Sequence, residues 1–507
     1  MLRAFDAHVT ADPTRCAVVS ATGERVSREE LLTAAVLLAN RLYARGTVPG
    51  RSVALHTPGA GPLFHAADLA ALLAGAVPVS LPEHATAAEL DAILAVMRPA
   101  CVLDAAADER IAAAADRAGA AYWPQTTWPA DARYGGHDLT ARTVSRLPEP
   151  SGACVVATSG STGTPKLVLL GRRALAEGIG AWCSLWPAAA RNPVSTIACL
   201  PVSHIAQRIM GHYLMCLYGT TIHTTTPGRF AETVAAVRPS VLLGVPHTLS
   251  ALVDAAEREG AVRGALREVA LVVNGAAALP PEVAARFQAL GVPVAGAYGM
   301  TETSVPAWHH LPEDGSGVLG EPVPGVEARV DTGGELLLRS PYVARYVTAW
   351  PRTRPVVAPD GWVHTGDRAT RLPGGGVRLE GRIAATLKTS RGRLIVPEPV
   401  EAYLAAQPGV AAACLIGHGQ PSATAMVSIP EAATWAPERL TAAERALLNI
   451  LRTARRTGRL PWTDIGAIRI VGDSWPALGL LTPTGKVRRS AIADHYTARL
   501  EPEESPA

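Results

Sequence analysis

The sequence predicts an α/β protein, in which a large N-terminal domain of layered α/β sheets with a small β-rich subdomain precedes a small α+β C-terminal domain. The chain has 507 residues, too many for one core, since domains usually hold roughly 50 to 250 residues. From Ser27 onwards, short β-rich runs alternate with amphipathic helical segments, which is typical of a layered fold with a mainly parallel sheet. After Gly320 the pattern changes to short strands separated by Gly and Pro turns.

The first part of the chain gives the clearest alternation. Apolar residues at helical spacing predict helices at residues 28–43, 61–73 and 87–98. Between them, β-rich runs predict strands at residues 52–55, 77–81 and 100–104, and the same pattern continues at 154–157, 196–200, 241–245, 269–273 and 292–297.

The last third of the chain predicts a different organisation. Short strands at residues 328–331, 334–339 and 374–382 form the predicted β-rich subdomain. Beyond them we expect strands, helices at 398–406 and near 443–457, and a frayed acidic tail. The change in composition at Gly381 and Arg382 places the domain boundary there, so the predicted domains are residues 1–382 and 383–507.

The bulk composition excludes several classes of protein. Hydrophobic residues make up 48% and charged residues 18% of the chain, which excludes a disordered or collagen-like protein. The net charge is only +3, and no basic run has interleaved aromatic residues, so we expect no nucleic-acid partner. The longest apolar run, residues 66–81, contains Asp68 and is shorter than the ~20 residues of a membrane helix, so we expect no membrane span.

The N-terminus and the cysteines predict a cytoplasmic protein. Residues 1–10 include Arg3, Asp6 and His8 and have no apolar core behind them, unlike a secretory signal. The seven cysteines are widely spaced without a C-x-x-C motif. A reducing compartment fits this usage best.

Lysine is unusually rare in this chain. Of 47 basic residues only Lys166, Lys388 and Lys486 are lysine. An ammonium group is a compact charge on a flexible stem and does not interchange with a planar guanidinium at a catalytic position. Coding bias is the alternative explanation for any one of them, but all three lie in the motifs described next.

A loop of glycine and hydroxyl residues follows the apolar run at residues 154–157 and ends in Lys166. Glycines let backbone N–H groups approach phosphate oxygens, hydroxyls add donors, and the lysine adds charge. Pro165 departs from the G-x-x-x-x-G-K-[ST] pattern, so a Walker-type NTPase is not indicated. A simple surface loop is the alternative. The predicted nucleotide-binding residues here are Thr158, Ser159, Gly160, Ser161, Thr162, Gly163 and Lys166.

This loop resembles the phosphate-binding signature of the adenylate-forming superfamily, which contains acyl- and aryl-CoA synthetases, luciferases and the adenylation domains of peptide synthetases. Residues 296–303 resemble its Y-G-x-T-E element. The resemblance implies that Tyr298 stacks on adenine, that Thr301 contacts the α-phosphate and that Glu302 holds Mg²⁺, with Gly299 as a further nucleotide-binding residue of the element. A cation that bridges phosphates also needs an oxygen ligand on general grounds.

Two further elements resemble nucleotide-binding parts of the same family. Residues 364–367 match its T-G-D element, which implies that Asp367 binds the ribose hydroxyls. Arg382 matches the hinge arginine, which also contacts ribose or phosphate. The turn that borders adenine and the acyl site corresponds to Asn274, Gly275 and Ala276.

Two lysines correspond to catalytic positions of the family. Residues 482–489 resemble its C-terminal catalytic loop, which implies that Lys486 stabilises negative charge on the carboxylate and α-phosphate. Lys388 follows Arg382 where the family places a lysine for the second half-reaction. The resemblance runs from about residue 27 to residue 489 and implies a mobile C-terminal domain.

Within the superfamily, the chain is most similar to long-chain fatty acid–CoA ligases. The similarity lies in residues 200–208, 238–239, 244–246 and 392–401. It implies that His204 borders the acyl site and helps to gate it. On its own, a single histidine would be interpreted as a core or surface residue.

These motifs predict a two-step ligase that uses ATP and Mg²⁺ to convert a small-molecule acid, fatty-acid-like or aryl, into an acyl-AMP, with coenzyme A as second substrate. The hinge departs from the family, because Ala384 stands where the family usually has Asp or Lys. The acceptor therefore stays open: coenzyme A, a carrier-protein thiol, or an amine, the last forming an amide or, from nitrite, an N–N bond. A non-catalytic nucleotide-binding relative is the third reading.

Residues 309–315 also fit the H-H-x-x-x-D-G pattern of acyl-transfer condensation domains. That pattern works only in a different, two-lobed acyltransferase fold, where its histidine is a general base. We therefore expect this segment, with His309 and His310, to be a surface loop.

Overall fold

The structure is a computed structural model that describes residues 1–47, 49–129, 152–158, 165–373, 375–391, 393–457, 460, 465–482 and 486–496. The strands are β1 (Cys16–Val19), β2 (Arg25–Ser27), β3 (Ser52–His56), β4 (Val77–Ser80), β5 (Cys101–Asp104), β6 (Ala121–Pro124), β7 (Gly152–Thr158), β8 (Lys166–Gly171), β9 (Ser195–Ala198), β10 (Thr221–Thr224), β11 (Val241–Gly244), β12 (Leu271–Asn274), β13 (Val294–Tyr298), β14 (Trp308–His310), β15 (Val318–Leu319), β16 (Glu321–Pro322), β17 (Glu327–Val330), β18 (Glu335–Arg339), β19 (Arg345–Ala349), β20 (Arg352–Pro355), β21 (Val363–Arg371), β22 (Val377–Arg382), β23 (Leu387–Lys388), β24 (Leu394–Ile395), β25 (Ala412–Ile416), β26 (Ala423–Ser428) and β27 (Ile465–Val471).

The α-helices are α1 (Leu2–Ala11), α2 (Arg28–Ala44), α3 (Pro62–Leu73), α4 (Ala87–Met97), α5 (Glu109–Arg117), α6 (Arg172–Cys183), α7 (Ile205–Arg208), α8 (Leu214–Tyr218), α9 (Phe230–Val237), α10 (Pro246–Arg258), α11 (Gly260–Glu268), α12 (Pro281–Ala289), α13 (Glu398–Ala405), α14 (Pro437–Arg456) and α15 (Arg489–Tyr496). A π-helical segment, Ile209–Tyr213, joins α7 to α8. None of the helices that the structure describes is long and apolar enough to cross a membrane.

Contacts divide the chain into two units, Met1–Ala328 with Leu338–His364, and Arg329–Leu337 with Thr365–Ala507. Our predicted boundary was residue 382. The contacts place residues 365–382 in the second unit because β21 pairs antiparallel with β22, so that Asp367 faces Arg382, and β22 packs against α13. The hinge at Arg382 stays a prediction.

Most of the described strands of the first unit form three sheets. Their strand orders are β2-β1-β10-β9, β11-β12-β13-β14-β16 and β20-β19-β8-β7-β4-β3-β5-β6. In the third sheet, β7, β4, β3, β5 and β6 are parallel, whereas β7, β8, β19 and β20 are antiparallel. The sheet is therefore mixed. Strands β7 and β8 are antiparallel because a short loop between two paired strands forms a hairpin. The predicted α/β fold is confirmed.

Local sequence explains the helices that cover this sheet. Ser27 and Glu30 form a capping box at the start of α2, and Thr86 and Glu89 form another at α4, which satisfies N–H groups that the first turn leaves unpaired. Helix α3 is buried along nearly all of its length. Its apolar residues join those of α2 in one core.

The second unit has its own cores. One sheet of its described residues has the strand order β25-β26-β27, with β26 and β27 parallel. Because side chains alternate along a strand, Ala413 and Leu415 pack in one apolar cluster with α13 and α14. Cys414 and Ile416 face a second cluster that contains Trp475 and residues of α15.

Candidate nucleotide and acid site

The β7–β8 hairpin holds the two ends of the predicted phosphate-binding loop. Thr158 and Lys166 face each other in register, and the Thr158 hydroxyl donates to the carbonyl oxygen of Lys166 at 3.4 Å. Lys166 is exposed at the start of β8. The pairing of β7 with β8 therefore holds the two ends of the loop next to each other. The remaining predicted loop residues lie outside the described part of the chain: Ser159, Gly160, Ser161, Thr162 and Gly163.

The carboxyl ends of the parallel strands β11, β12 and β13 form a second part of the site. Gly244, Asn274 and Gly296 lie side by side there, at the edge of a parallel sheet where ligands usually bind. Asn274 is buried and its amide N–H donates to the Ala277 carbonyl at 3.0 Å. Its side-chain oxygen has no hydrogen-bond partner among the described residues, so it can accept one from a ligand.

The turn after Asn274 is built for close approach. The N–H of Gly275 donates to the Gly244 carbonyl at 3.1 Å. Ala276 has a φ of +70°, a left-handed conformation that is uncommon for a residue with a Cβ and often marks a functional site. The turn thus follows directly from the ends of two paired strands.

The Y-G-x-T-E element follows β13. Tyr298 ends the strand, and its ring lies 5.7 Å from the ring of Trp308 on β14. A Cβ at Gly299 would lie 2.8 Å from Cα of Pro306, so only glycine fits there. Thr301 begins the 3₁₀ turn Thr301–Thr303.

Glu302, in this turn, is buried and held by Tyr346, a residue that the sequence reasoning missed. The Tyr346 hydroxyl donates to Glu302 Oε1 at 3.0 Å. Burial, and next the Glu302 charge, raise the pKa of Tyr346 above its ordinary value, so it stays a donor. Tyr346 pairs with Val168 of β8, which ties Glu302 to the strand that begins at Lys166.

The donor chemistry of this element fits Mg²⁺. The described residues contain no group of three or more side chains suited to a metal ion. Magnesium commonly uses one or two protein carboxylates and takes its other ligands from substrate phosphates and water. Glu302 would hold the ion, and the ion would neutralise negative charge on the phosphates.

His204 caps the helical stretch α7 to α8. Its ring Nδ1 accepts from the N–H of Ala206 at 3.3 Å, and the side chain is half-buried. Its gating role stays a prediction.

A buried charge cluster contains Asp68, Arg208 and His212. The sequence reasoning did not find it. Arg208 and His212 both pair with the Asp68 carboxylate, His212 Nε2 at 3.0 Å. Arg208 also donates to the hydroxyl of Ser80 at 2.6 Å. Burial raises the pKa of Asp68, but the two cations outweigh burial and hold it at about 2. The cluster joins α3, β4 and the π-helical segment.

The second unit brings together Asp367, Arg382 and Lys486. Arg382 Nε lies 3.0 Å from Asp367 Oδ1, and its guanidinium donates to the Thr365 carbonyl at 2.8 Å. Although Lys486 is exposed as a residue, enough protein surrounds its ammonium group that desolvation lowers its pKa, with Arg382 as the next cause and Asp367 and Glu398 opposing. Three predicted site residues therefore share one electrostatic neighbourhood.

Glu398 is a further residue of this neighbourhood. Its Oε1 accepts from the backbone N–H of Arg382 at 3.1 Å, and burial raises its pKa. A Cβ at Gly381 would lie 2.5 Å from Glu398 Oε2. Gly381 also has a φ of +146°, a backbone conformation that residues with a Cβ rarely adopt, so glycine suits the position before Arg382.

Lys388 lies elsewhere in the second unit, on the short β23–β24 ladder opposite Leu394. Its backbone N–H donates to the ring Nδ1 of His418 at 3.3 Å, and its side chain is exposed. The structure therefore places it with His418. Its part in a second half-reaction stays a prediction.

The segment expected to be a surface loop is partly buried, so that prediction was wrong for its first residues. Trp308–His310 form β14 between β13 and β16, and His309 is 4% exposed. Pairing with β13 draws it into the sheet, a contact that the local sequence does not show.

Comparisons with known proteins agree with this geometry. The family model of AMP-binding enzymes matches residues 5–346. A putative fatty-acid–CoA ligase, fadD11, of Mycobacterium tuberculosis is 28% identical over 422 residues, which cover 68% of this chain and 72% of that protein. The long-chain-fatty-acid–CoA ligase FadD15 of Mycobacterium bovis is 24% identical, covering 72% and 71%.

Solved structures show the same fold. The anthranilate CoA ligase AuaEII in complex with anthranoyl-AMP superposes with a TM-score of 0.79 at 19% identity, over 98% of each chain. The o-succinylbenzoate CoA synthetase of Bacillus subtilis, in complex with its acyl-adenylate, gives 0.77 at 18%, over 97% of this chain and 98% of that one. With the family match over residues 5–346, the chain belongs to the AMP-binding enzyme family and is an ATP-dependent adenylate-forming ligase.

Proposed function

We propose that this enzyme is an acid:CoA ligase, which activates a fatty-acid-like or aryl acid as its acyl-AMP and transfers the acyl group to coenzyme A. In the first step, a carboxylate oxygen attacks the α-phosphorus of ATP and the bond to the bridging oxygen of the β-phosphate breaks, releasing pyrophosphate. In the second, the sulfur of coenzyme A attacks the acyl carbon and AMP leaves. The similarity to fatty-acid–CoA ligases supports both steps.

The observation that carries the first step is the link from Glu302 through Tyr346 to β8. It fixes the carboxylate that would hold Mg²⁺ relative to the strand that starts with Lys166, so that the ion and the Lys166 ammonium would both be held for the triphosphate. Preorganised charges of this kind stabilise a transition state without having to reorganise.

Residues of the second unit have complementary roles in the proposal. Asp367 accepts the ribose hydroxyls, and Arg382, already paired with it, contacts ribose or phosphate. Lys486 donates to the carboxylate and α-phosphate as negative charge develops. Lys388 serves the thiol-transfer step, with the hinge at Arg382 between the domains at residues 1–382 and 383–507.

A pyrophosphate-release assay tests the proposal. Purified enzyme is given Mg·ATP with fatty acids, aryl acids or nitrite, each with and without coenzyme A or an arylamine. We expect release that needs a fatty or aryl acid, continued turnover with coenzyme A, and loss of at least about a hundredfold in Lys486→Ala, since one charge-stabilising group is worth that much. Absence of release with every acid would contradict the assignment.

One observation supports a second candidate, in which an amine or a carrier-protein thiol is the acceptor. Ala384 lies exposed in the turn Ile383–Ala385, where related enzymes usually have a charged residue. An altered hinge leaves the nucleotide-binding residues of the first step intact. Turnover that needs an arylamine, with nitrite or a carboxylic acid, would favour this candidate.

A further inference from the structure

Four buried polar nitrogens gather beside the Y-G-x-T-E element. They belong to Trp182 at the end of α6, to Trp186 just after it, and to His309 on β14, which are 2%, 1% and 4% exposed. The Trp182 ring lies 5.0 Å from that of Trp186 and 6.5 Å from that of His309. We call these three residues the indole–imidazole cluster.

The nitrogens of this cluster lack protein partners. Neither indole N–H, nor either ring nitrogen of His309, has a hydrogen-bond partner among the residues that the structure describes. Buried polar groups are normally paired, because an unpaired one costs about 1–3 kcal/mol. Three such side chains in contact are therefore unlike an ordinary apolar core and suggest a polar ligand.

The register of β13 and β14 decides which residues share a face of the sheet with His309. His309 pairs with Ala297 and Trp308 pairs with Tyr298. Paired residues share a face and neighbours along a strand alternate, so His309 and Ala297 lie on the opposite face from Tyr298. The family resemblance implies that Tyr298 binds adenine, and we assign the opposite face, which carries His309, to the acid.

Helix α6 packs directly on the same segment. A Cβ at Gly178 would lie 2.9 Å from a methyl group of Val305, just after the turn that contains Glu302. Ser304 lies between this turn and Val305 in the sequence and is fully buried with a φ of +64°. Its hydroxyl also has no hydrogen-bond partner among the described residues. The helix that carries Trp182 therefore packs on the segment that follows the Glu302 turn.

The chemistry of the cluster selects the kind of group it can bind. Burial, and next His310, lower the pKa of His309 to about 4, so near neutral pH its ring is uncharged, with one donor and one acceptor nitrogen. The two indoles add donors only. Without a cation in the cluster, a buried carboxylate would be costly, whereas a neutral oxygen acceptor would satisfy the N–H groups.

Resting on the proposed acid-activating function, we propose that Trp182, Trp186 and His309 form a specificity subsite for an acid that carries a neutral hydroxyl or carbonyl group, rather than an unsubstituted alkyl or aryl acid. The subsite positions the acid through its oxygen substituent. Its residues take no part in the bond changes at the carboxylate.

Acid-dependent ATP–pyrophosphate exchange on matched acids tests this. Hexanoate is compared with 5-oxohexanoate, and benzoate with 3- and 4-hydroxybenzoate, in wild type, Trp182→Phe and Trp186→Phe, which remove an N–H but keep a ring. We expect wild type to prefer an oxygenated acid by about tenfold or more in kcat/KM, as one buried hydrogen bond allows. In each variant kcat/KM should fall for the oxygenated acid and stay unchanged for the unsubstituted acid of the pair.

Trp475→Phe is the matched control, because Trp475 is also fully buried but its N–H donates to the Tyr496 hydroxyl at 3.1 Å. It should keep the preference, and thermal unfolding of all variants reports folding. Exchange without a preference in wild type, or equal losses on both acids in the variants, would overturn the subsite alone. Failure of every acid to support exchange would overturn the proposed function and the subsite with it.

Discussion

Glu302, the proposed metal ligand, is held by a hydrogen bond from Tyr346. Glu302 belongs to a short motif and could be predicted from the sequence. Tyr346 lies 44 positions away in a segment without any motif, so nothing local marks it. Only the pairing of β19 with β8 brings its hydroxyl to the carboxylate.

Removing the Tyr346 hydroxyl should weaken Mg·ATP use. Tyr346→Phe leaves Glu302 without its donor, and a hydrogen bond to a charged group is worth about 1.5–3 kcal/mol. We expect kcat/KM for Mg·ATP to fall by about tenfold or more in the pyrophosphate exchange assay. The control is Tyr342→Phe, which removes a hydroxyl that donates to the Pro324 carbonyl. Equal effects of the two substitutions would contradict a role for Tyr346 at the metal.

The lowered pKa of Lys486 predicts the alkaline side of the pH profile. Because desolvation and Arg382 favour the uncharged amine, the ammonium should lose its proton, and the adenylation rate should fall, at a pH below that of an ordinary lysine. Lys486→Arg keeps its charge and should abolish this decline, at a lower overall rate. In the control Lys388→Arg the decline should persist. A profile that is the same in wild type and Lys486→Arg would show that another group titrates.

At the scale of elements, most of the predicted strands and helices of the first unit are present within a few residues of their predicted ends. Periodicity sufficed for α2, α3 and α4, because each buries one face or all of its length against a sheet. Helix α14 begins at Pro437, earlier than predicted, and its first three residues are exposed. The sequence did not predict which distant segments pair or pack with one another in the fold.

Asp68 shows both the signal and its limit. A carboxylate inside the apolar run at residues 66–81 indicates a buried cation, because an unpaired buried charge is very unfavourable. The sequence cannot tell which cation. Arg208 is 140 positions away, and the π-helical segment that follows it also brings His212 to the same carboxylate.

Breaking this cluster should destabilise the first unit strongly. Asp68→Asn leaves Arg208 buried without its counter-charge, and we expect a loss of about 3–5 kcal/mol in the free energy of unfolding, measured by urea denaturation at pH 7. The matched control is Asp91→Asn, which breaks the exposed pair with Arg117 and should cost less than about 1 kcal/mol. Comparable losses would mean that the buried cluster contributes little.

At the scale of the whole molecule, the family, the fold and the adenylating chemistry could be predicted from motifs, whereas the acceptor could not. The motifs for ATP are dense because phosphates demand particular donors. A thiol or an amine makes no comparable demand on the sequence, and the one departure, Ala384, lies in an exposed turn.

Ala384→Asp therefore tests the hinge. The substitution restores the charge that is usual in the family at a surface position. We expect acid-dependent pyrophosphate exchange to stay within about twofold, since exposed substitutions seldom disturb a fold, while the rate of thioester formation with coenzyme A rises. The control is Ala411→Asp, which changes another exposed alanine of the second unit, with thermal unfolding to show that its fold is intact. Slower exchange in Ala384→Asp would place the effect in the first step.

The chain passes between the two units at residues 328–329, 337–338 and 364–365, so the second unit is discontinuous in sequence. Its strand β21 depends on the early segment: the Thr365 hydroxyl donates to the Leu336 carbonyl at 2.6 Å, and the Gly366 N–H donates to Glu335 Oε1 at 2.8 Å. A separately expressed fragment that starts at residue 365 or 383 would lack these contacts. Chimaeras that exchange C-terminal portions with a relative would likewise combine a native β18 with foreign neighbours, and residues 329–337 should travel with the exchanged part.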